Sequence, residues 1–289
     1  MEIFLSMWKN DLKHMQYIYI YQIMKLLIVT TMKPMMDPFI IEQTNAVLSW
    51  TKLRLNPTII VFGDDQGVAE FCAEHQIQNI PIVKKNPQGV VYINEIIKEG
   101  YNHMDGYDYI MYINADILLT DDFSDTLEAF HQQYPDVKSC LLTAVRFDVP
   151  TFSLIDYNDP NWRHFVMETF KGKYSTPDGI DMFLHKKDNY ANMPPFAVAR
   201  AQFDSWMLDT GIKNFDMSVD MTKTVKIYHH FGKWYQGNKV VLRNWNLIER
   251  TSYNDNLRLY NQNRHSFNNI TQCPYYSIST GDSIKFVKK

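Results

Sequence analysis

The sequence lacks an apolar run long enough to cross a membrane. Its best stretch, near the start, is broken by Lys9, Asn10, Asp11, Lys13 and His14, whereas a spanning helix needs about 20 apolar residues in succession. A secretory leader is not spelled there either, because the basic start, unbroken apolar middle and small-residue cleavage site are all missing. Cysteine is scarce. Cys72, Cys140 and Cys273 are too few and too widely spaced for a disulfide framework or a zinc cluster, so they read as buried thiols in a reducing compartment. The expected location is therefore cytoplasmic. No sign of charge dominates: 29 basic residues face 32 acidic ones, for a net charge of −3. Nothing in that balance draws the chain to nucleic acid. With 11 Gly and 12 Pro in 289 residues, fibrous and disordered classes are also excluded. The glycine-rich phosphate loops GxGxxG and GxxxxGK[ST] do not occur, nor do HExxH, CxxC or GxSxG.

What is present is a chain that is 45% apolar and 14% aromatic, enough for one substantial core. Met24 opens MKLLIVTTMKP, which reads as the start of a folded domain. Residues 1–23 are expected to be an extension outside it, or else an interfacial amphipathic segment. From Lys25 the pattern is regular. Short apolar, β-branched runs at 25–31, 58–65, 80–83, 107–116 and 138–149 predict strands. Between them, 37–53, 67–76, 89–104 and 122–135 predict helices, the first with Asp37 as N-cap and Pro38 at the first helical position. Beyond residue 150 the pattern loosens into long loops, with a helix at 196–212 closed by Gly211, a strand opening 221–237, and one more helix at 249–262. No repeat or linker interrupts 24–289, which predicts a single domain whose loosely patterned part, about 150–289, is where a substrate pocket would be built.

Strands alternating with helices predict an α/β fold with a mostly parallel sheet flanked by helices. In such sheets ligands bind beyond the carboxyl ends of the strands. Three predicted strand ends carry polar groups: Thr30 and Thr31, Asp64 and Asp65, and Asn114 with Asp116. Asn114 and Asp116 stand one alternation apart and so share a side of the strand. A carboxylate beside a carboxamide is a hard-oxygen pair suited to Mn2+ or Mg2+, ions that complete their shells with phosphate oxygens and water. On spacing alone, capping of the turn that follows is the better reading of the pair.

The run YINADILLTDDF resembles the metal and sugar-nucleotide motif of GT-A glycosyltransferases, with Asn114 in place of the first acid. More specifically, the chain resembles a group of nucleotide-diphospho-sugar transferase-like proteins found in giant viruses and some plants and microbes. Segments agree in order over roughly 25–262. LIVTTMKP and FGDDQGVAEFCAE resemble the nucleotide-binding opening. TAVRFDV resembles a GRRWD-type strand end, matching Arg146 and Asp148. PDGIDMFLHKK matches at Asp181, FAVARAQFDSWML at Arg200, Asp204 and Trp206, and VDMTKTVKIYHH at His229. The family's histidine-rich tail departs here to HHFGKWY, which leaves open whether His229 or His230 approaches a metal. Val145 and Phe147 replace the first Arg and the Trp of GRRWD.

The resemblance implies a GT-A fold and a metal-dependent transfer of a hexose from a UDP- or GDP-linked donor to a hydroxyl of a glycan or glycoprotein. It implies Thr30, Thr31 and Asp64 around base and ribose. Asp116 and His229 would bind Mn2+ or Mg2+, with Asn114 assisting through water or a sugar hydroxyl. Arg146 would pair with phosphate or with Asp148. Asp204, then Asp181, would be the candidate general base. Trp206 is either a stacking floor for a sugar or core, and Asp65 and Asp220 read as turn residues. Two other readings stand beside this one. A nucleotidyltransferase shares the sheet and a strand-end acid but wants a glycine- and basic-rich first loop, where TTMKPMMD offers only Lys33. A degenerate binding module is supported by Asn114 and the shortened histidine loop.

Overall fold

The computed structural model describes residues 24–150, 153–230, 235–236, 239–240, 247–262, 266–267 and 269–289. The expected extension at 1–23 and the stretch 231–234 after His230 lie outside the described residues. The elements run β1 (Leu26–Thr31), α1 (Ile40–Thr51), β2 (Thr58–Phe62), α2 (Val68–Glu74), β3 (Gln78–Ile80), α3 (Ile93–Asn102), β4 (Tyr109–Ile113), β5 (Ile117–Leu118), α4 (Asp121–Gln133), β6 (Cys140–Thr143) and β7 (Arg146–Val149). There follow α5 (Trp162–Thr169), β8 (Lys173–Tyr174), β9 (Met182–His185), α6 (Phe203–Asn214), β10 (Met217–Asp220), β11 (Ile227–His230), β12 (Tyr235–Gln236), β13 (Lys239–Val240), α7 (Leu247–Gln262), β14 (Tyr275–Thr280) and β15 (Ser283–Lys288).

Nine strands form the main sheet in the order β15-β14-β10-β6-β9-β4-β1-β2-β3. Strands β3, β2, β1 and β4 are mutually parallel, as are β6, β10 and β14. Between these blocks β9 runs antiparallel to both neighbours, and β15 closes the edge as a hairpin. The expected α/β class, a mostly parallel sheet flanked by helices, is what the chain adopts. The strand pattern explains it. In β1, Leu26 and Ile28 enter one core cluster and Leu27 and Val29 the other. Burial on both faces is what a near-continuous apolar run signifies in a parallel sheet. One face is covered by α1, α2 and α4 through Trp50, Phe71 and Phe123, the other by α3 and α6 through Ile96 and Met207.

A second sheet, ordered β5-β11-β7-β8, stands beside the carboxyl end of β4. It departs from the predicted pattern. The single strand expected at 138–149 is two, β6 in the main sheet and β7 in the small one. The strand expected to open 221–237 is β11, while β10 before it belongs to the main sheet. The region around 150–230 thus supplies β9 and β10 to the core as well as loops.

Several boundaries also differ. Helix α1 begins at Ile40 with Phe39 as N-cap, so Asp37 and Pro38 fall in the preceding turn. The third strand lies at Gln78–Ile80 rather than 80–83. In α4 the cap is Thr120 instead of Asp122 or Ser124. Gly211 does not end its helix. It sits inside α6 where the helix crosses β6, and a Cβ there would stand 2.7 Å from Leu141 Cδ2. Trp206 is buried against Tyr190 and Phe196 and is core, not a sugar platform. Asp220 closes β10 and accepts from the Thr222 N–H at 2.9 Å, the turn role expected of it. All three cysteines are free and buried. Among the described residues no helix is long and apolar enough to cross a membrane.

Candidate functional site

The carboxyl ends of β1 and β4 are adjacent, because the two strands are parallel neighbours. They open into a cleft of about 330 Å³, lined among others by Thr31, Lys33, Asp65, Tyr112, Asn114, Asp116 and Arg200. Of the residues expected to bind nucleotide, Thr31 and Asn114 therefore line it, and so does the expected metal ligand Asp116. Thr30 does not. Its side chain is wholly buried, and Oγ1 donates to the Ile113 carbonyl at 2.6 Å, tying β1 to β4. Asp64 points outward to an ion pair with Lys85, which holds its carboxyl below the usual range. Its neighbour Asp65, expected only in a turn, faces the cleft instead. Burial raises the Asp65 carboxyl above its ordinary value.

Strand β4 ends at Ile113, so Asn114 and Asp116 are not delivered by strand alternation. A turn closed by the Ile117 N–H on the Asn114 carbonyl, at 3.1 Å, presents them. Asn114 is fixed from two sides. Tyr112 OH donates to its Oδ1 at 3.0 Å, and its Nδ2 donates to Asp181 Oδ1 at 2.7 Å. Register accounts for the second contact. Ile113 pairs with Met182 across β4 and β9, which puts residues 114 and 181 opposite one another.

Asp181 passes the connection into the small sheet. Arg146 Nη1 donates to Asp181 Oδ2 at 2.9 Å, while Arg146 Nε donates to Asp148 Oδ1 at 3.1 Å. On β11 the partner of Asp148 is His229, and His229 Nδ1 lies 2.9 Å from Asp148 Oδ1. An ionised carboxylate only accepts, so Nδ1 carries the proton and in the neutral ring Nε2 holds the lone pair. Metal-ligating histidines are commonly oriented this way by a carboxylate. His230 instead faces Glu42 at 3.0 Å. Burial opposes the charge on Arg146 and Asp148. The surrounding opposite charges outweigh it, holding Arg146 above and Asp148 below their ordinary values.

Asp116 stands where the two sheets meet, since β5 begins at the next residue and pairs Ile117 with His229. Its side chain is 19% exposed. Burial alone would raise its carboxyl, but Lys33, His229 and Arg146 together hold it below the usual range. Oδ2 lies 3.5 Å from Lys33 Nζ. Oδ1 is buried and has no hydrogen-bond partner among the described residues. A buried carboxylate oxygen left without a donor is a place for a hard divalent cation, which needs only one or two protein carboxylates when phosphate and water complete its shell. Among the described residues no group of three His, Cys, Asp or Glu side chains converges on one point. A cation could be held here by Asp116 together with a phosphate ligand; of the other expected site residues, His229, Arg146, Asp181 and Asp204 are not among those lining the cleft.

Asp204 is the second residue of α6 and accepts from the Ser205 N–H at 2.8 Å. Burial pushes its carboxyl up to about 6, and Asp181 and Asp178 add in the same direction. At the rim, Arg200 sits among three residues with left-handed backbone: Ala199 at φ 56°, Ala201 at 57° and Gln202 at 74°. Non-glycine residues rarely adopt that conformation, and it costs of order 1 kcal/mol or more at each. Asn256 braces the segment by donating to the carbonyls of Ala197 and Ala201 at 2.9 and 3.0 Å.

Sequence reasoning missed Lys33, Asp65, Tyr112 and Arg200 as parts of the cleft. The signal for Tyr112 was its place two residues before Asn114. For Arg200 it was the motif match, and for Lys33 its place two residues beyond the first strand.

No protein-family model matches this chain, and no curated protein matches it in sequence, so the grouping with the giant-virus proteins rests on motifs alone. Solved structures do match in fold. S. aureus TarS, residues 1–349, in complex with UDP-GlcNAc, aligns with a TM-score of 0.51 at 10% identity, covering 82% of this chain and 65% of that one. TarS 1–349 also aligns with a TM-score of 0.45 at 10% identity, over 72% of this chain and 60% of that one. This chain thus spans less than two thirds of the length of these TarS structures. A 4-diphosphocytidyl-2C-methyl-D-erythritol synthase from Anaerococcus prevotii gives a TM-score of 0.38 at 10% identity, over 81% of this chain and 99% of that one. Only the UDP-GlcNAc complex among these three exceeds 0.5, and what it shares with this chain is the α/β fold, the GT-A arrangement expected from the motifs.

Proposed function

We propose that the protein is a glycosyltransferase that moves a hexose from a UDP- or GDP-linked donor to a hydroxyl of a glycan or glycoprotein. One observation carries this reading: a carboxylate with an unpartnered buried oxygen, Asp116, lies beside a lysine in the cleft at the carboxyl ends of β1 and β4. That is where open α/β sheets bind nucleotides. The fold shared with a structure that holds UDP-GlcNAc points the same way.

Thr31 and Asp65 flank the end of the cleft suited to base and ribose, offering a hydroxyl and a carboxylate to their donors and acceptors. Asn114, locked by Tyr112 and Asp181, holds a donor hydroxyl at a fixed angle. Asp181 spends both oxygens on Asn114 and Arg146, which suits positioning rather than proton transfer. Asp204 is the acceptor-side base in this reading: it lies outside the residues that line the cleft, at the start of α6, and a carboxyl raised to about 6 combines ionisation at neutral pH with proton affinity. Mn2+ or Mg2+ held by Asp116, with His229 beside it, would supply charge neutralisation for the departing nucleoside diphosphate. A degenerate module draws its support from Asn114 in place of the first acid and from the shortened histidine loop. Its signature would be metal-independent nucleotide binding without turnover.

The test is slow hydrolysis of UDP- and GDP-sugars in Mn2+. The wild-type rate is expected to rise with pH through about 6, as the Asp204 carboxyl loses its proton. Asp204→Asn should lower kcat by about 10²- to 10⁴-fold, abolish that pH limb and leave UDP affinity within about twofold. An Asp204→Asn protein with the wild-type rate and pH limb would remove Asp204 from the mechanism.

A further inference from the structure

We infer that Lys33 is a diphosphate-binding residue which, in the nucleotide-free protein, lies against Asp116 and competes there with a divalent cation. The inference rests on the nucleotide-sugar reading and adds to it a residue, an order of events and a dependence of metal affinity on nucleotide.

The backbone of Lys33 is held in place. Its N–H donates to Gln43 Oε1 at 2.6 Å, and Gln43 Nε2 donates back to its carbonyl at 3.0 Å. Gln43 is 2% exposed and reaches out from α1. A buried carboxamide that takes both peptide groups of one residue, its Nε2 also reaching Met35 Sδ at 3.5 Å, fixes that residue two positions beyond the end of β1, where the cleft opens. The Lys33 side chain is not similarly confined. It is 41% exposed, and its Nζ rests 4.7 Å from the centroid of Phe39 and 3.5 Å from Asp116 Oδ2. That separation makes the ion pair a loose one, and an ammonium on a flexible stem can exchange partners at little cost.

The charges in the cleft say which partner it takes next. Asp116 carries one negative charge, and its other oxygen has no donor among the described residues. With Lys33 against it the carboxylate is already neutralised, and a divalent cation arriving alone must displace or repel an ammonium. A nucleoside diphosphate brings several anionic oxygens. Lys33 can turn to these without its backbone moving, releasing Asp116 Oδ2 as the cation arrives with the phosphates. Metal and nucleotide would then bind cooperatively, each weak alone, because the lysine serves one carboxylate at a time.

The test is titration calorimetry of the full chain with Mn2+ alone, with UDP and GDP alone, and with each nucleotide in saturating Mn2+. It uses wild type, Lys33→Met and Lys33→Arg. Lys33→Met keeps the stem and loses the charge. It is expected to bind Mn2+ alone about 3- to 10-fold more tightly and the Mn2+–nucleotide pair about 10-fold more weakly, with cooperativity lost. Lys33→Arg should retain at least part of the cooperativity. If Lys33→Met binds Mn2+ no more tightly than wild type, or binds nucleotide equally well, the inference is overturned while the nucleotide-sugar reading stands. If wild type binds neither UDP nor GDP under any of these conditions, that reading falls and takes this inference with it.

Discussion

Asp116→Asn is expected to lower Mn2+-dependent turnover of a UDP- or GDP-sugar by about 10²- to 10³-fold, or about 3–4 kcal/mol of transition-state stabilisation. The substitution conserves volume and removes one charge from the point where the two sheets meet. Lys33, His229 and Arg146 all act to hold this carboxylate ionised. Arg146 and His229 keep their own partners in Asp148 and Asp181. Lys33 is 41% exposed and returns to water. The fold should accordingly survive, with the melting temperature within a few degrees of wild type. Nucleotide should still bind, but addition of Mn2+ should no longer tighten it. Wild-type turnover by Asp116→Asn would mean that the Asp116 charge is not used in the reaction.

Arg146→Met should have the largest effect on stability. Arg146 bridges Asp181 of the main sheet and Asp148 of the small one, and both carboxylates are largely buried, with side chains 13% and 10% exposed. Removing the guanidinium leaves two buried carboxylates facing one another across the space it filled. Breaking one side of a buried pair typically costs about 3–5 kcal/mol. Because Arg146 is 25% exposed, the lower end, about 3 kcal/mol, is expected, a fall of roughly 6 °C in Tm. Activity should fall as well, since Asp181 loses the partner that aims it at Asn114. Adding Asp181→Asn to Arg146→Met should restore part of the stability without restoring activity. If Arg146→Met melts like wild type, the two sheets are not joined through this bridge.

The fold was legible where hydrophobic period and length agreed. The runs LLIV and YIMYI are buried on both faces and could be little else in a chain with helices between them. What misled was the end of each run. KSCLLTAVRFDV reads as one strand-like run, yet Ala144 and Val145 carry the chain from one sheet to the other, and a change of sheet leaves no mark in hydropathy. Strand β9 has four residues in a polar, loop-like region, and its place between β4 and β6 comes from tertiary pairing alone. The closing hairpin β14–β15 turns through Gly281 at φ 63°, a turn signal hidden in a stretch rich in polar residues. In the cleft, Asn114 and Asp116 were readable because polar groups at a strand end are conspicuous. Asp65 and Asp64 could not be told apart by pattern, since adjacent acids in a turn differ only in which of them meets Lys85. Lys33 alone is too little to spell a phosphate loop. Its importance appears only once Gln43, ten residues on, is seen to grip its backbone.

The central claim is that this cleft binds a nucleotide sugar through Asp116, and a melting-temperature screen tests it most directly. Wild type and Asp116→Asn are heated with a panel of UDP- and GDP-sugars, with and without Mn2+, because a ligand that binds only the folded chain must raise Tm, by about 2.7 kcal/mol of added stability at 100 times its Kd. The account predicts a rise with at least one donor, larger in Mn2+ for wild type and insensitive to Mn2+ for Asp116→Asn. No rise with any donor, or a rise of equal size in both proteins with Mn2+ present, would contradict it.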